Sequence, residues 1–290
     1  VEAFLQQVLS GLATGGIYAS VALALVMIYK ATHLVNFAQG EMAMFSTYIA
    51  WQLITWGMPY WGAFFLAIAI SFVGGVIIER TIIRPFEGHD AILAVITVFI
   101  GLLLILNSVA GWTWEYIIKV FPSPFPTKAF VGGALSGHQF GLLGVTLAML
   151  ALVFVFFRFT PLGLAMRAAA ENPTSSRLVG INASWMLALG WGLASAIGAV
   201  AGMMVAPIVY LDPGMMGGIL IYGFAGALFG GIDNPWGAVV GGFLVGVLEN
   251  IMGVYVVGTE LKLTVALVLI VGVLVAKPSG LFGKALVTRV

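Results

Sequence analysis

Apolar residues run through this chain in long stretches, without the alternation of period two that marks a half-buried strand. An α-helix rises about 1.5 Å per residue and the hydrocarbon core of a bilayer is about 30 Å thick, so roughly 20 apolar residues cross it. Eight charge-poor stretches reach that scale. Met42 to Ile78 carries no charge and is too long for one crossing, so it must fold back, and Trp56-Gly57-Met58-Pro59 supplies the turn chemistry. The pattern predicts helices over 4–29, 35–56, 59–78, 91–110, 141–157, 185–210, 215–231, 236–257 and 261–276. Two of these are unusual: 35–56 opens on polar residues, and 215–231 is short and rich in glycine. Both fit broken or re-entrant helices, which are tolerated only where protein or water satisfies the exposed backbone groups. The expected fold is all-α, a polytopic integral membrane protein with about eight or nine transmembrane helices in a single transmembrane domain over residues 1–290.

Composition agrees with that class. Hydrophobic residues make up 61% and charged residues 8%, whereas soluble domains carry about 25% charged residues. Lipid must therefore solvate much of the surface, and the mean hydropathy is +1.12. A net charge of +1 implies no nucleic-acid partner. With no cysteine there is no disulfide framework, thiolate metal site or cysteine nucleophile. The N-terminus lacks a basic n-region, and its apolar run from Ala3 to Tyr29 is about twice as long as a signal-peptide core, so it reads as a retained first span.

Lysine and arginine set the orientation. With the N-terminus outside, Lys30, Arg80, Arg84, Arg158, Arg167, Arg177, Lys277, Lys284 and Arg289 fall inside, against Lys119, Lys128 and Lys262 outside. That positive-inside bias puts the loop 158–184 and the C-terminal tail in the cytoplasm. The loop 111–140 then lies outside, with Trp112, Trp114, Tyr116, Phe121 and Phe125 expected along the membrane interface. The pairs Gly11/Gly15, Gly198/Gly202, Gly226/Gly230, Gly237/Gly241 and Gly242/Gly246 have the small-xxx-small spacing that lets helix backbones approach closely. The dense glycines of 214–246 also suit a hinge. Helices one and six of the predicted set enter from opposite sides, a parity that permits an inverted repeat, although the two halves show no residue-level similarity.

Candidate chemistry is sparse. Gly280-Leu281-Phe282-Gly283-Lys284-Ala285 lacks the spacing and the hydroxyl of a phosphate-cradling loop, so the chain itself is not expected to hydrolyse ATP. His33, His89 and His138 fall at predicted helix ends or loops, where they read as solvated surface, and no metal-ligand cluster is expected. Glu41 and Glu249 are more informative, because an ionised carboxylate facing lipid costs roughly 2.5–3.5 kcal/mol on insertion scales. Each either bonds a neighbouring helix or lines a water-filled route. The candidate pathway residues are Asn36, Gln39, Gly40, Glu41, Glu249 and Asn250. Asp212-Pro213-Gly214 and Asp233-Asn234-Pro235-Trp236 read as turns. An ion-coupled secondary transporter or channel for a small solute would also use such carboxylates, and a membrane enzyme is disfavoured by the missing motifs.

The loop 158–184 carries the most specific pattern. Gly163 to Pro173 reads as a short alanine-rich helix stopped at Asn172-Pro173, because the residue before proline is pushed out of the α region. Thr174 to Asn182 then gives a second short helix with a Gly180/Asn182 stop. Gly163-Leu164-Ala165-Met166-Arg167-Ala168-Ala169-Ala170-Glu171-Asn172, followed by Gly180-Ile181-Asn182, resembles the coupling loop of permeases of branched-chain amino-acid ABC importers. That family's pattern is G-x-A-x-R-A-x-x-[ED]-[ND] and then G-I-[ND]. Asn36-Phe37-Ala38-Gln39-Gly40-Glu41 resembles its N-F-A-H-G-E element, with Gln39 in the place of histidine. Gly230 to Ala238 resembles its G-G-x-G-[ST]-x-x-G-[AP] element, with Asp233-Asn234-Pro235 as a departure that stiffens the turn.

The resemblance implies a permease subunit that binds no cofactor itself and lies in a bacterial cytoplasmic (inner) membrane. It implies four kinds of partner: a second, related permease giving a heterodimeric pore, two cytoplasmic ATP-binding subunits holding ATP and magnesium, an extracytoplasmic substrate-binding protein, and the lipid bilayer. It assigns ATPase coupling to Arg167, Ala168, Glu171, Asn172, Pro173, Gly180, Ile181 and Asn182, and a branched-chain or related small amino acid as the substrate.

Overall fold

The computed structural model describes residues 2–32, 34–86, 92–126, 128–130 and 135–283. His33, His89, Lys284, Arg289 and the end of the C-terminal tail, for which expectations were set above, lie outside the described residues. The elements in chain order are α1 (Glu2–Thr32), α2 (Gln39–Thr55), α3 (Tyr60–Ile78), α4 (Ile92–Trp114), α5 (Gly137–Phe159), α6 (Pro161–Glu171), α7 (Pro173–Leu178), α8 (Ala183–Val209), α9 (Gly217–Gly230), α10 (Pro235–Tyr255) and α11 (Lys262–Ala276). Between α4 and α5 a two-residue antiparallel pair joins β1 (Ala129–Phe130) to β2 (Leu135–Ser136). Seven helices among the described residues are long and apolar enough to cross a membrane, and α9 is a shorter apolar helix. The chain is a polytopic all-α membrane protein.

Local chemistry explains the boundaries. The charge-free run folds back where expected: α2 stops at Thr55, Gly57 adopts φ 93°, and Pro59 in an extended conformation starts α3. Asn234 caps α10 by accepting from the amides of Trp236 (3.2 Å) and Gly237 (3.1 Å), with Pro235 in the first turn. The Asp233-Asn234-Pro235 departure is thus a capping device, and Asn234 Nδ2 also donates to the Phe282 carbonyl at 3.2 Å. Helix α8 ends at Val209, two residues after Pro207, and its C-cap Tyr210 has a left-handed φ of 65°.

Two expectations need correction. Helix α4 runs on to Trp114 because Gly111 does not stop it, and the break comes at Glu115 with φ 65°. As a result Trp114 turns inward, stacking on Tyr48 at 5.0 Å and donating to Gln52 Oε1 at 2.9 Å, and Phe121 is buried; Trp112 and Tyr116 remain exposed. His138 is not solvated surface: it is buried and shares a 2.8 Å hydrogen bond with Ser123 Oγ through Nδ1.

The fold comprises two compact units, one of Val1–Val26, Pro122–Thr146 and Met216–Val290, the other of Met27–Phe121 and Leu147–Met215. Each combines one long, largely enclosed helix with a run of three from the other end of the sequence: α1 with α9, α10 and α11, and α8 with α2, α3 and α4. In both, the first half of the long helix packs on the middle helix of the run and its second half on the first. Gly11 and Gly15 meet α10 before Val21 meets Gly223 of α9. Gly192 meets Phe72 of α3 before Gly198 and Gly202 meet Gln39, Ala43 and Thr47 of α2. The small-xxx-small glycines are the points of closest backbone approach, which accounts for their spacing. The two units thus share a packing plan, in keeping with the parity of helices one and six.

Candidate functional site

The loop 158–184 is two capped helices seated on α8. Thr160 accepts from the Gly163 amide at 3.0 Å and starts α6. Asn172 ends α6 and then caps α7, accepting from the Ser175 amide at 2.9 Å, so Asn172-Pro173 is one joint between two helices. Gly180, with φ 86°, reverses the chain while the Ile181 amide donates to Ser176 O at 3.0 Å. Only glycine takes that left-handed position without strain. Asn182 then accepts from the Trp185 amide at 3.2 Å and starts α8. Met166, Ala169 and Ser176 are buried on the seat side.

The coupling residues named from sequence divide by exposure. Arg167, Glu171, Asn172, Pro173, Gly180 and Asn182 are exposed, whereas Ala168 and Ile181 are half-buried. Sequence reasoning missed Leu164, Leu178 and Val179, which are 60%, 85% and 76% exposed and give a polar knob an apolar face. The available signal was apolar residues at the end of a loop otherwise polar and capped.

The second cluster surrounds the entry to α2. Asn36 and Gln39 are almost fully buried, and Asn36 Oδ1 accepts from the Ala38 amide at 3.0 Å. Gln39 Nε2 donates to the carbonyl of Ala194 at 3.1 Å. Ala194 is the twelfth residue of α8, roughly 17 Å from its start at 1.5 Å per residue. Helix α2 therefore begins deep within the apolar zone, and the Asn36-Phe37-Ala38 turn, with Asn36 and Ala38 buried and Phe37 exposed, satisfies its own backbone, as a broken segment must. Gly40 lies inside the first turn of α2. Half-buried Glu41 faces Asn107 Nδ2 at 3.4 Å, and the same amide donates to Pro213 O at 2.8 Å. Asn107, a lone amide in the apolar run of α4, is a residue that sequence analysis did not single out. Asp212 forms the expected turn, accepting from the Gly214 amide at 2.7 Å.

Glu249 and Asn250 lie in the other unit, so the candidate pathway residues form two clusters. Glu249 Oε2 accepts from Tyr18 Oη at 2.8 Å, and Lys262 Nζ lies 3.7 Å from Glu249 Oε1. Lys262 also donates to Asn250 Oδ1 at 2.9 Å, while Asn250 Nδ2 donates to Gln7 O at 3.3 Å. Tyr222 stacks on Tyr18 at 4.7 Å. Pairing on this scale ties α1, α10 and α11 together, the alternative of bonding neighbouring helices that the sequence left open. Tyr18→Phe is expected to lower stability by about 1–3 kcal/mol, the cost of a lost buried hydrogen bond. Melting of the purified protein in mild detergent measures it, and an unchanged midpoint would show that the hydroxyl contributes nothing.

Comparison with known proteins places these features. The family described as branched-chain amino acid transport system / permease component matches residues 7–274. The high-affinity branched-chain amino acid transport system permease proteins LivH of Salmonella typhimurium and LivH of Escherichia coli K12 are each 32% identical, over 99% of this chain and 98% of theirs. BraD of Pseudomonas aeruginosa, also a high-affinity branched-chain amino acid transport system permease protein, is 31% identical over 99% of this chain and 98% of its own.

Proposed function

We infer how this chain works from its family: it belongs to the permease components of branched-chain amino acid transport systems, and as a single permease domain it forms part of the translocation pathway of an ATP-driven importer. The substrate is a branched-chain or related small amino acid. The observation that carries the reading is the capped double-helix knob with an exposed Leu178-Val179 tip, rigidly joined to α8.

The knob docks on an ATP-binding subunit. Its exposed leucine and valine enter a groove of that partner, and Arg167 and Glu171 set the register by charge. Two such subunits hold ATP and magnesium, a second related permease completes the pore as a heterodimer, and an extracytoplasmic binding protein delivers substrate. Approach of the ATPases moves the knob, and α8 carries the movement to the entry of α2. There Asn36, Gln39, Gly40 and Glu41, with Asn107, line the route. Glu249 and Asn250 are held by Tyr18 and Lys262 in the other unit.

The Lys/Arg bias supports a bacterial inner-membrane orientation with the N-terminus outside and both the knob and the C-terminus in the cytoplasm. Ser175 is exposed on the knob, and the chain has no cysteine, so Ser175→Cys is a clean reporter. A thiol reagent that cannot cross membranes should label it only after the cytoplasmic face is opened. Labelling from outside would overturn the orientation.

The functional test is isolation from native membranes in mild detergent. The chain should co-purify with a subunit carrying a phosphate-binding loop, and ATP hydrolysis should require that subunit, since the chain has no G-x-x-x-x-G-K-[ST] of its own. Hydrolysis by the chain alone, or its isolation with no ATP-binding partner, would contradict the reading.

A further inference from the structure

Where α3 ends, its helical turn widens. Glu79–Ile83 forms a π-helical segment in which the Arg84 amide donates to the Glu79 carbonyl, five residues back. Such segments are rare and are found frequently at functional positions. The Glu79 carboxylate is fully buried and pairs with Arg80 Nε at 3.6 Å. The Arg80 guanidinium lies 3.8 Å from the ring centroid of Trp185, within cation–π range. Trp185 is in the first turn of α8, and its own amide is the one that Asn182 caps. From the tip of the knob to this indole the backbone is pinned by the Ile181-to-Ser176 and Trp185-to-Asn182 hydrogen bonds.

We propose that the stack of Arg80 on Trp185 is the latch that passes movement of the knob into α3. Arg80 and Trp185 are positioning residues: they touch neither nucleotide nor substrate. The argument rests on the importer reading above. Deeper along the same seam, Gly75 lies against the Trp191 carbonyl and Gly192 against the Phe72 carbonyl, so close backbone packing holds α3 and α8 in register. At the end of α3 a wider turn takes over, and there a side-chain stack makes the connection. A planar cation over an indole resists sliding while permitting small rotations, which suits a repeatedly loaded joint. The buried Glu79 carboxylate, 3.6 Å from Arg80 Nε, adds an ion pair beside the stack.

The test uses the complete transporter, with both permeases, both ATPases and the loaded binding protein, reconstituted in lipid vesicles. The readout is substrate moved per ATP hydrolysed. Because Trp185 is 49% exposed, Trp185→Leu and Arg80→Met should each lower that ratio about two- to fivefold, the span of a cation–π contact that solvent still reaches. Trp185→Phe and Arg80→Lys, which keep a ring and a charge, should recover much of it. The double variant Arg80→Met/Trp185→Leu should be no worse than either single change, because the two side chains act as one unit. A purely structural contact would lower melting temperature and yield and leave the ratio intact, so an unchanged ratio overturns the latch, as do multiplying losses in the double variant. Uptake by the unaltered transporter that needs no ATP would overturn the importer reading together with the latch, whereas ATP-driven uptake with an unchanged ratio in Trp185→Leu overturns the latch alone.

Discussion

Leu178→Asp combined with Val179→Asp is expected to detach the ATP-binding subunits from the permease, with the chain still inserted in the membrane. Both side chains are more than three-quarters exposed at the end of α7, and neither supports the fold. Burying a leucine or valine in a partner's groove contributes about 1.5–3 kcal/mol each, so losing both corresponds to roughly a hundredfold or greater loss in affinity. Placing two carboxylates in an apolar groove adds a desolvation cost. The measurement is the amount of ATPase retained by the permease over a salt and dilution series. Retention equal to that of the unaltered chain would show that the tip is not the docking surface. Glu171→Arg, which reverses one exposed charge at the end of α6, is the milder companion and should weaken docking by about 1 kcal/mol or less, as exposed ion pairs do.

Gly226→Leu is expected to abolish accumulation of folded protein. A Cβ at Gly226 would lie 2.7 Å from Gly242 Cα and 2.8 Å from Gly242 N, and backbone atoms cannot rotate away as a side-chain end can. Separating α9 from α10 to admit a leucine costs about 3 kcal/mol or more, against total stabilities of about 5–15 kcal/mol. Gly272→Ala is the control. Nothing lies within 4 Å of a Cβ there, and replacing a mid-helix glycine gains up to about 1 kcal/mol. Gel filtration and thermal melting in detergent separate the two variants. A monodisperse, normally melting Gly226→Leu protein would refute the close approach of α9 and α10.

The helices were legible because bilayer thickness makes apolar length a direct measure: the turn at Gly57, the nine predicted segments and the two knob helices are all present among the described residues. Asn172-Pro173 and Gly180 marked the knob because capping and left-handed backbone demand those residues. What sequence could not show depends on who packs against whom. Trp114 belongs to α4 and stacks inward because Tyr48 and Gln52 wait there, which no local pattern encodes. Asn107 looked like one amide in an apolar run until α2 and the 212–214 turn met it. Glu41 and Glu249 were both recognisable as costly carboxylates. Their partners, Asn107 for one and Tyr18 with Lys262 for the other, are distant in sequence and only the fold supplies them. The parity of helices one and six permitted an inverted repeat, but the shared packing plan of α1 and α8 on their three-helix runs lies in contacts between helices that no residue-level similarity displays.

The most direct measurement is uptake of labelled leucine into vesicles containing the complete transporter, with loaded binding protein on the extracytoplasmic side and ATP on the knob side. The account predicts uptake that requires ATP, stops when Leu178 and Val179 are both replaced by aspartate, and persists when ion gradients are collapsed. Uptake that continues without ATP and disappears with the ion gradient would contradict it and identify an ion-coupled carrier.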